Sequence, residues 1–96
     1  MDPMEPTVTR NDEAGRYELR LADAIVGYAD FVVEGDRVVM PHTVIDPAHR
    51  GSGLAATLVR AALNDVVAQD RTVVPSCWYV AQFIERNPQY QELVAP

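Results

Sequence analysis

Val44-Ile45-Asp46-Pro47-Ala48-His49-Arg50-Gly51-Ser52-Gly53-Leu54-Ala55, running on as an amphipathic stretch to Val67, is the part of the sequence on which the fold turns. Val44 and Ile45 read as the end of a buried strand, the next residues as a tight turn, and Gly51 to Gly53 as a glycine-rich lead into a helix. From there Leu54, Ala55, Leu58, Val59, Ala62, Leu63, Val66 and Val67 recur at helical spacing, which lays one apolar stripe against a sheet. Ser52 is placed to cap this helix, and Gln69-Asp70 ends it. The first N–H groups of a helix have no partner within it, and the helix dipole puts positive charge there. An anion such as a pyrophosphate can dock on such a start, so the stretch predicts a phosphate cradle. Glycine at 51 and 53 lets the backbone approach that anion and relieves strain in the turn. Arg50 adds a charged fork.

The chain around this stretch has 96 residues, 48% of them hydrophobic, enough for one modest core and too few for two domains. No apolar run reaches the roughly 18 residues of a membrane span. Met1-Asp2-Pro3-Met4-Glu5 lacks the basic and apolar regions of a signal peptide, and the expectation is a cytoplasmic protein that engages no membrane. A single cysteine forms no internal disulfide, and both histidines lie far from it in sequence, so no metal site is expected. The net charge of −6 argues against nucleic acid, whose phosphates are neutralised by Lys and Arg. It suits either a cationic partner or plain solubility. All eight basic residues are arginine, which rules out a lysine base, a Schiff base and lysine self-acetylation.

Residues 1–15 are charged and turn-forming without apolar periodicity and read as a flexible tail, ahead of one domain at 16–96. Tyr17, Leu19 and Leu21 alternate with Arg16, Glu18 and Arg20, the pattern of a half-buried strand. Ala24 to Val33 gives a second strand, Glu34-Gly35-Asp36 a hairpin turn, and Arg37 to Ile45 a third strand, which together predict an antiparallel meander. Pro41 lies inside the third strand, where its missing N–H calls for a bulge or an edge position. Arg71 to Val74 is a short β-branched run that returns after the helix as a parallel strand. Trp78 to Arg86, with Val80, Phe83 and Ile84 on one face, reads as a second helix stopped before Pro88, and Gln89 to Val94 as a last turn.

Taken together, these residues resemble the GNAT family of acetyl-CoA-dependent N-acetyltransferases. That family's acyl-CoA motif (Arg or Gln, two residues, Gly, one residue, then Gly or Ala) is matched by Arg50, Gly53 and Ala55, and its Val-x-x-Pro lead-in by Val44 to Pro47. Pro75-Ser76-Cys77, Tyr79, Ile84-Glu85-Arg86-Asn87-Pro88 and Tyr90, with His42-Thr43 before the motif, resemble the compact YjdJ-type branch. The resemblance implies an α+β, minimal GNAT fold: a mixed, mostly antiparallel sheet with helices packed on it. It implies acetyl-CoA or coenzyme A held by Val44, Ile45, Arg50, Gly51, Ser52, Gly53, Leu54 and Ala55, with the strand diverging from its neighbour near Pro41 to admit the pantetheine arm. The implied reaction is acetyl transfer to an amine acceptor, a small molecule or a protein.

Three residues are candidates for that chemistry, each with a second reading. His42 is either the base that takes the amine proton or a half-buried strand histidine bonded to the backbone. Cys77 begins a helix, where a thiolate is favoured, and is either acylated or a small buried apolar side chain. Tyr79 either protonates the departing thiolate or simply packs. His49 either reaches a phosphate or lies exposed. Full-length GNATs carry two helices between their first and second strands, whereas Leu21 and Ala24 are nearly adjacent here, so the acceptor side should be open. Trp78 stands where the compact branch often has proline. A non-catalytic CoA-binding or protein-interaction module is therefore the alternative, with the chain a monomer or a weak homodimer through an exposed sheet edge.

Overall fold

The period-two alternation of the first half builds strands, and the 3.6-residue periodicity of the second builds helices. A computed structural model describes residues 5–96. In chain order it contains β1 (Thr7–Asn11), β2 (Arg16–Leu21), β3 (Ala24–Asp30), β4 (Val32–Glu34), β5 (Arg37–Val39), β6 (Thr43–Ile45), a 3-10 turn (Pro47–His49), α1 (Leu54–Ala68), β7 (Thr72–Val74), α2 (Trp78–Arg86) and a second 3-10 turn (Pro88–Leu93). The strands form two ladders, β1-β2-β3-β6 and β4-β5-β7, in which only β5 and β7 are parallel. This is the expected α+β arrangement of a mostly antiparallel sheet with helices packed on it.

Helix α1 buries Leu54, Leu58, Val59, Ala62, Leu63 and Val66. These pack with Tyr17, Leu19, Val38, Met40 and Val73 from both ladders, and Val80, Phe83 and Ile84 of α2 close the same core. Val67, expected on the stripe, is 54% exposed because it lies at its margin. Both core-facing residues of β2, Tyr17 and Leu19, are buried as the alternation predicts. Between them Glu18 faces the other side of the sheet, yet it is only 3% exposed. Arg16 Nε donates to its carboxylate at 2.9 Å, Arg20 Nη2 at 3.1 Å and Asn11 Nδ2 at 3.3 Å. Arg16, followed by Arg20 and Asn11, holds the Glu18 carboxyl below the usual carboxylate range.

Three sequence expectations need correction. Thr7–Asn11 is an edge strand paired with β2 rather than part of a loose tail, and residues 1–4 lie outside the described residues. Its anchor is Arg10, whose Nη1 donates to Asp65 Oδ2 of α1 at 2.8 Å. The expected second strand breaks at Phe31 into β3 and β4, and the expected third breaks at Met40-Pro41-His42 into β5 and β6. Pro41 is thus neither in a bulge nor on an edge. It sits where the chain leaves one ladder for the other, which suits a residue that cannot donate to either.

Asp65 is the hub that ties the first two strands to α1. Its Oδ2 also accepts from Tyr17 Oη at 2.8 Å and from Gln69 Nε2 at 2.7 Å. Burial first, and the Asp65 carboxylate second, raise the Tyr17 phenol well above its ordinary pKa. Replacing Asp65 with Ala leaves the buried Tyr17 hydroxyl without a partner and frees β1. We expect a loss of about 2 kcal/mol of stability, read from the urea midpoint. An unchanged midpoint would mean that the hub contributes nothing net.

Candidate functional site

The site begins where Pro41 separates the ladders. Before it, Val39 pairs with Val74 and Met40 N–H donates to Val74 O at 3.0 Å, which holds β5 against β7. After it, β6 pairs with β3 alone, so β6 and β7 part. The divergence expected near Pro41 is present, made by a change of ladder.

Which backbone groups of β6 face the parting follows from its register. Tyr28 pairs with Val44, Asp30 N–H donates to His42 O, and Asp46 N–H donates to Val26 O. In an antiparallel ladder the hydrogen-bonded positions alternate, so the groups of 42, 44 and 46 point at β3. Those of Thr43 and Ile45 point away, into the parting. Ile45 turns its N–H there, its carbonyl accepting from Arg50 Nε, whereas Val44 has its backbone committed to β3. The close approach of β3 and β6 depends on Gly27, where an added Cβ would lie 2.7 Å from Ile45 Cδ1 and 2.9 Å from Val44 O. Sequence reasoning passed over Gly27, although an isolated glycine within a strand signals such an approach.

Beyond β6 the Pro47–His49 turn is started by Asp46, whose Oδ1 accepts from Ala48 N–H at 3.0 Å. Gly51 and Gly53 then adopt φ of +82° and +79°. An added Cβ would meet nothing within 4 Å at either position. Backbone conformation therefore calls for glycine here, and the space above it is open to a ligand. Gly53 is the N-cap of α1 and has no side chain to satisfy the first turn. Ser52, the expected cap, instead donates its hydroxyl to His49 O at 2.6 Å and braces the turn. The first N–H groups of α1 thus receive no side-chain cap. Arg50 Nε donates to Ile45 O at 3.2 Å, which fixes its guanidinium between turn and strand.

Two adjoining hollows cover this region. One, of about 250 Å³, is lined by Ile45, His49, Arg50, Gly51, Gly53, Leu54, Ala55 and Tyr79. The other, of about 350 Å³, is lined by Thr43, Val44, Ile45, Arg50, Ala55, Cys77, Trp78 and Tyr79. Arg50, Ile45, Ala55 and Tyr79 belong to both. The expected cofactor-binding residues are therefore gathered in one place, apart from Ser52, which lines neither hollow.

Of the candidate catalytic residues, Cys77 and Tyr79 come together and His42 does not join them. Cys77 is the N-cap of α2 and is buried, with its N–H donating to Met40 O at 2.9 Å and its thiol donating to Thr43 Oγ1 at 3.6 Å. Thr43 is a lining residue that the sequence reading did not single out. Tyr79 is half-buried, and burial raises its phenol above the ordinary value against the lowering effect of Arg60 and Arg86. Trp78 is 73% exposed, its ring edge-on to Tyr79 at 5.8 Å between centroids. His42 lines neither hollow and is exposed rather than half-buried. Its Nδ1 lies 3.5 Å from Asp30 Oδ2 in place of the expected backbone bond. His49, half-buried, lines the first hollow rather than lying exposed. Leu21 and Ala24 are joined by a tight turn with Ala22 and Asp23 at positive φ, and no helix intervenes between β2 and β3.

Comparison with known proteins gives a consistent picture. A family model described as GCN5-related N-acetyl-transferase matches residues 16–93. Protein NATD1 of Bos taurus is 42% identical over 65 residues, covering 65% of this chain and 58% of that protein. The chain thus spans a little under three fifths of this relative's length. Protein NATD1 of Xenopus tropicalis is 31% identical over 104 residues, covering 100% of this chain and 95% of the relative. Among solved structures, a GCN5-like protein from Staphylococcus aureus superposes with a TM-score of 0.71 at 14% identity, over 99% of this chain and 91% of that one. The ribosomal-protein-S18-alanine N-acetyltransferase of Escherichia coli gives 0.65 at 14% identity, over 81% and 54%. At that identity the structures speak for the fold alone.

Proposed function

Because the chain belongs to the GCN5-related N-acetyltransferase family, we propose that it binds acetyl-coenzyme A in the two adjoining hollows and transfers the acetyl group to an amine. The observation that carries this reading is the uncapped start of α1, with Arg50 beside it, opening directly onto the parting of β6 and β7. The open space above Gly51 and Gly53 fits a pyrophosphate, and the outward N–H of Ile45 with the backbone of Thr43 fits the amide groups of a pantetheine arm. When bound, acetyl-coenzyme A supplies an acyl group activated as a thioester.

In this reading each residue has one task. The α1 N–H groups and Arg50 hold the phosphates, and Ala55 and Leu54 close the floor. The acceptor nitrogen forms its bond to the acyl carbon as the carbon–sulfur bond breaks, and Tyr79 gives its phenolic proton to the departing sulfur. The phenol is protonated at neutral pH, as the role requires, and the charges of Arg60 and Arg86 oppose the rise that burial gives its pKa. Cys77 shapes the inner end of the hollow, its S–H donated to Thr43, so the transfer is direct. His42 lies outside both hollows, so the proton of the acceptor amine passes to solvent, which the open side of the sheet admits. The acceptor is a small molecule or a protein amine. We read the protein as a compact, YjdJ-type member acting in the cytoplasm. Among the described residues no helix is long and apolar enough to cross a membrane.

The short β2–β3 turn, which leaves no helical wall on the acceptor side, favours a second reading: a module that binds coenzyme A without turnover. Titrating the protein with acetyl-coenzyme A while following backbone amide shifts tests the binding common to both. Shifts should cluster on residues 45–58 and around 77–79, and no shift at millimolar cofactor would overturn both readings. Thiol release with a panel of amines then separates them. Turnover above hydrolysis supports the transferase, and its absence with every amine supports the binding module.

A further inference from the structure

The arginines of this chain fall into two groups. Among the described residues, the ion pairs of arginine with a carboxylate involve Arg10, Arg16, Arg20 and Arg37, none of which lines the two hollows. Among the described residues Arg50, Arg60, Arg71 and Arg86 make no such pair, and of these Arg71 donates from Nη1 to Gln69 Oε1 at 2.7 Å, away from the two hollows. With 14 acidic residues for eight arginines, carboxylates are abundant, so a gathering of unpaired guanidiniums is unexpected on composition alone.

The helices explain how they gather. Tyr79, near the start of α2, lines a hollow with Gly53, Leu54 and Ala55 at the start of α1. Further along, the Arg60 guanidinium lies 5.3 Å from the centre of the Phe83 ring. The two helices therefore run side by side away from the cradle. Arg60 follows Gly53 by seven residues and Arg86 follows Tyr79 by seven, about 10 Å along each axis and on the same helical face. Helical side chains lean toward the N-terminus, so both arginines lean toward the cradle end of their helices while staying outside the lining of the two hollows. Both lower the pKa of the Tyr79 phenol, as charges in its neighbourhood do. Stacking on Phe83 restrains Arg60 while leaving its N–H edge free to bind.

We infer that Arg60 and Arg86 form a second anion site, beside the cradle, that takes the ribose 3′-phosphate at the nucleotide end of coenzyme A and makes the protein select the phosphorylated cofactor. The inference rests on the cradle reading above. It adds a separate monoester site on α1 and α2, within reach of a pyrophosphate seated at Gly53. A nucleotide lacking that phosphate would keep the cradle contacts and lose these.

The test is calorimetric titration of the full chain with coenzyme A and with dephospho-coenzyme A. The unaltered protein should bind coenzyme A about tenfold more tightly, the scale of one charge-assisted contact. Arg60→Gln and Arg86→Gln should each lower its affinity toward that for dephospho-coenzyme A, which should itself bind as before. Arg60→Gln also removes the contact with Phe83, so Arg86→Gln, checked by its thermal melt, carries the test if the first variant does not fold. Arg71→Gln is the control, because Arg71 lines a different hollow with Arg10 and Tyr17; it should leave the preference intact. Equal affinity for the two ligands in the unaltered protein overturns this inference and leaves the cradle standing. A preference that survives Arg86→Gln, or one that Arg71→Gln erases, overturns it as well. Binding of neither ligand overturns the cradle reading together with it.

Discussion

Gly53→Asp is expected to weaken acetyl-coenzyme A binding by on the order of a hundredfold or more while leaving the fold in place. The backbone here has φ of +79°, and a Cβ would meet nothing within 4 Å. The substitution therefore costs the strain of a left-handed residue, about 1 kcal/mol, without a steric clash. Its main effect is electrostatic. A carboxylate about 5 Å from a phosphate, at the effective dielectric of a protein surface, is repelled by about 3 kcal/mol. Gly53→Asn isolates that effect, since Asn tolerates the same φ and has nearly the same shape without the charge. It should cost only a few-fold in affinity, and both variants should melt within a few degrees of the parent. If Asp and Asn weaken binding equally, conformation rather than charge is responsible, and the phosphates do not sit at Gly53.

Tyr79→Phe should lower turnover by about a hundredfold with little change in acetyl-coenzyme A affinity, the size of effect expected when a general acid is removed. Loss of the hydroxyl deletes the proton donor and retains the ring that packs against Trp78. Cys77→Ala separates the direct route from a covalent one. In direct transfer it removes a small buried side chain and the S–H bond to Thr43, and turnover should stay within about threefold. If Cys77 were the acyl carrier, the same change would abolish turnover and remove an acetyl adduct from the intact mass. A Tyr79→Phe variant as active as the parent would assign leaving-group protonation elsewhere.

Both predictions act on one small region, and the architecture makes that region sensitive. The turn braced by Ser52 and Asp46 and the strand held close by Gly27 are all exposed or near an edge, yet they are fixed by short hydrogen bonds to the backbone. Much of the geometry of this turn and strand is thus built without core packing. Variants there should alter binding more than stability, the reverse of what is expected at Asp65 or within α1.

The local elements could be read directly from residue types. Helix α1, its end at Gln69-Asp70, the parallel β7, α2 with its buried face, and the glycine-rich lead at Gly51 and Gly53 each follow from periodicity or from the conformational demands of single residues, which act over a few positions. The match of Arg50, Gly53 and Ala55 to the family motif picked out the same turn and helix start. Long-range pairing lay beyond that reach. Thr7–Asn11 has no apolar rhythm, and it is a strand because β2 offers an edge and because Arg10 reaches Asp65, 55 residues away. The break at Pro41 was legible as a missing donor, but that it moves the chain from β7 to β3 depends on Gly27 admitting β6. The same distance dependence decided the candidate residues. Cys77, Tyr79 and Thr43 meet because a change of ladder places β6 opposite the start of α2. His42, one residue from Thr43, is carried to the other side by the alternation of the strand. Sequence determined which segments form helices and strands and where the glycine-rich turn leads into α1; only the tertiary pairing decided which side chains share the hollow, because that depends on contacts between residues far apart in the chain.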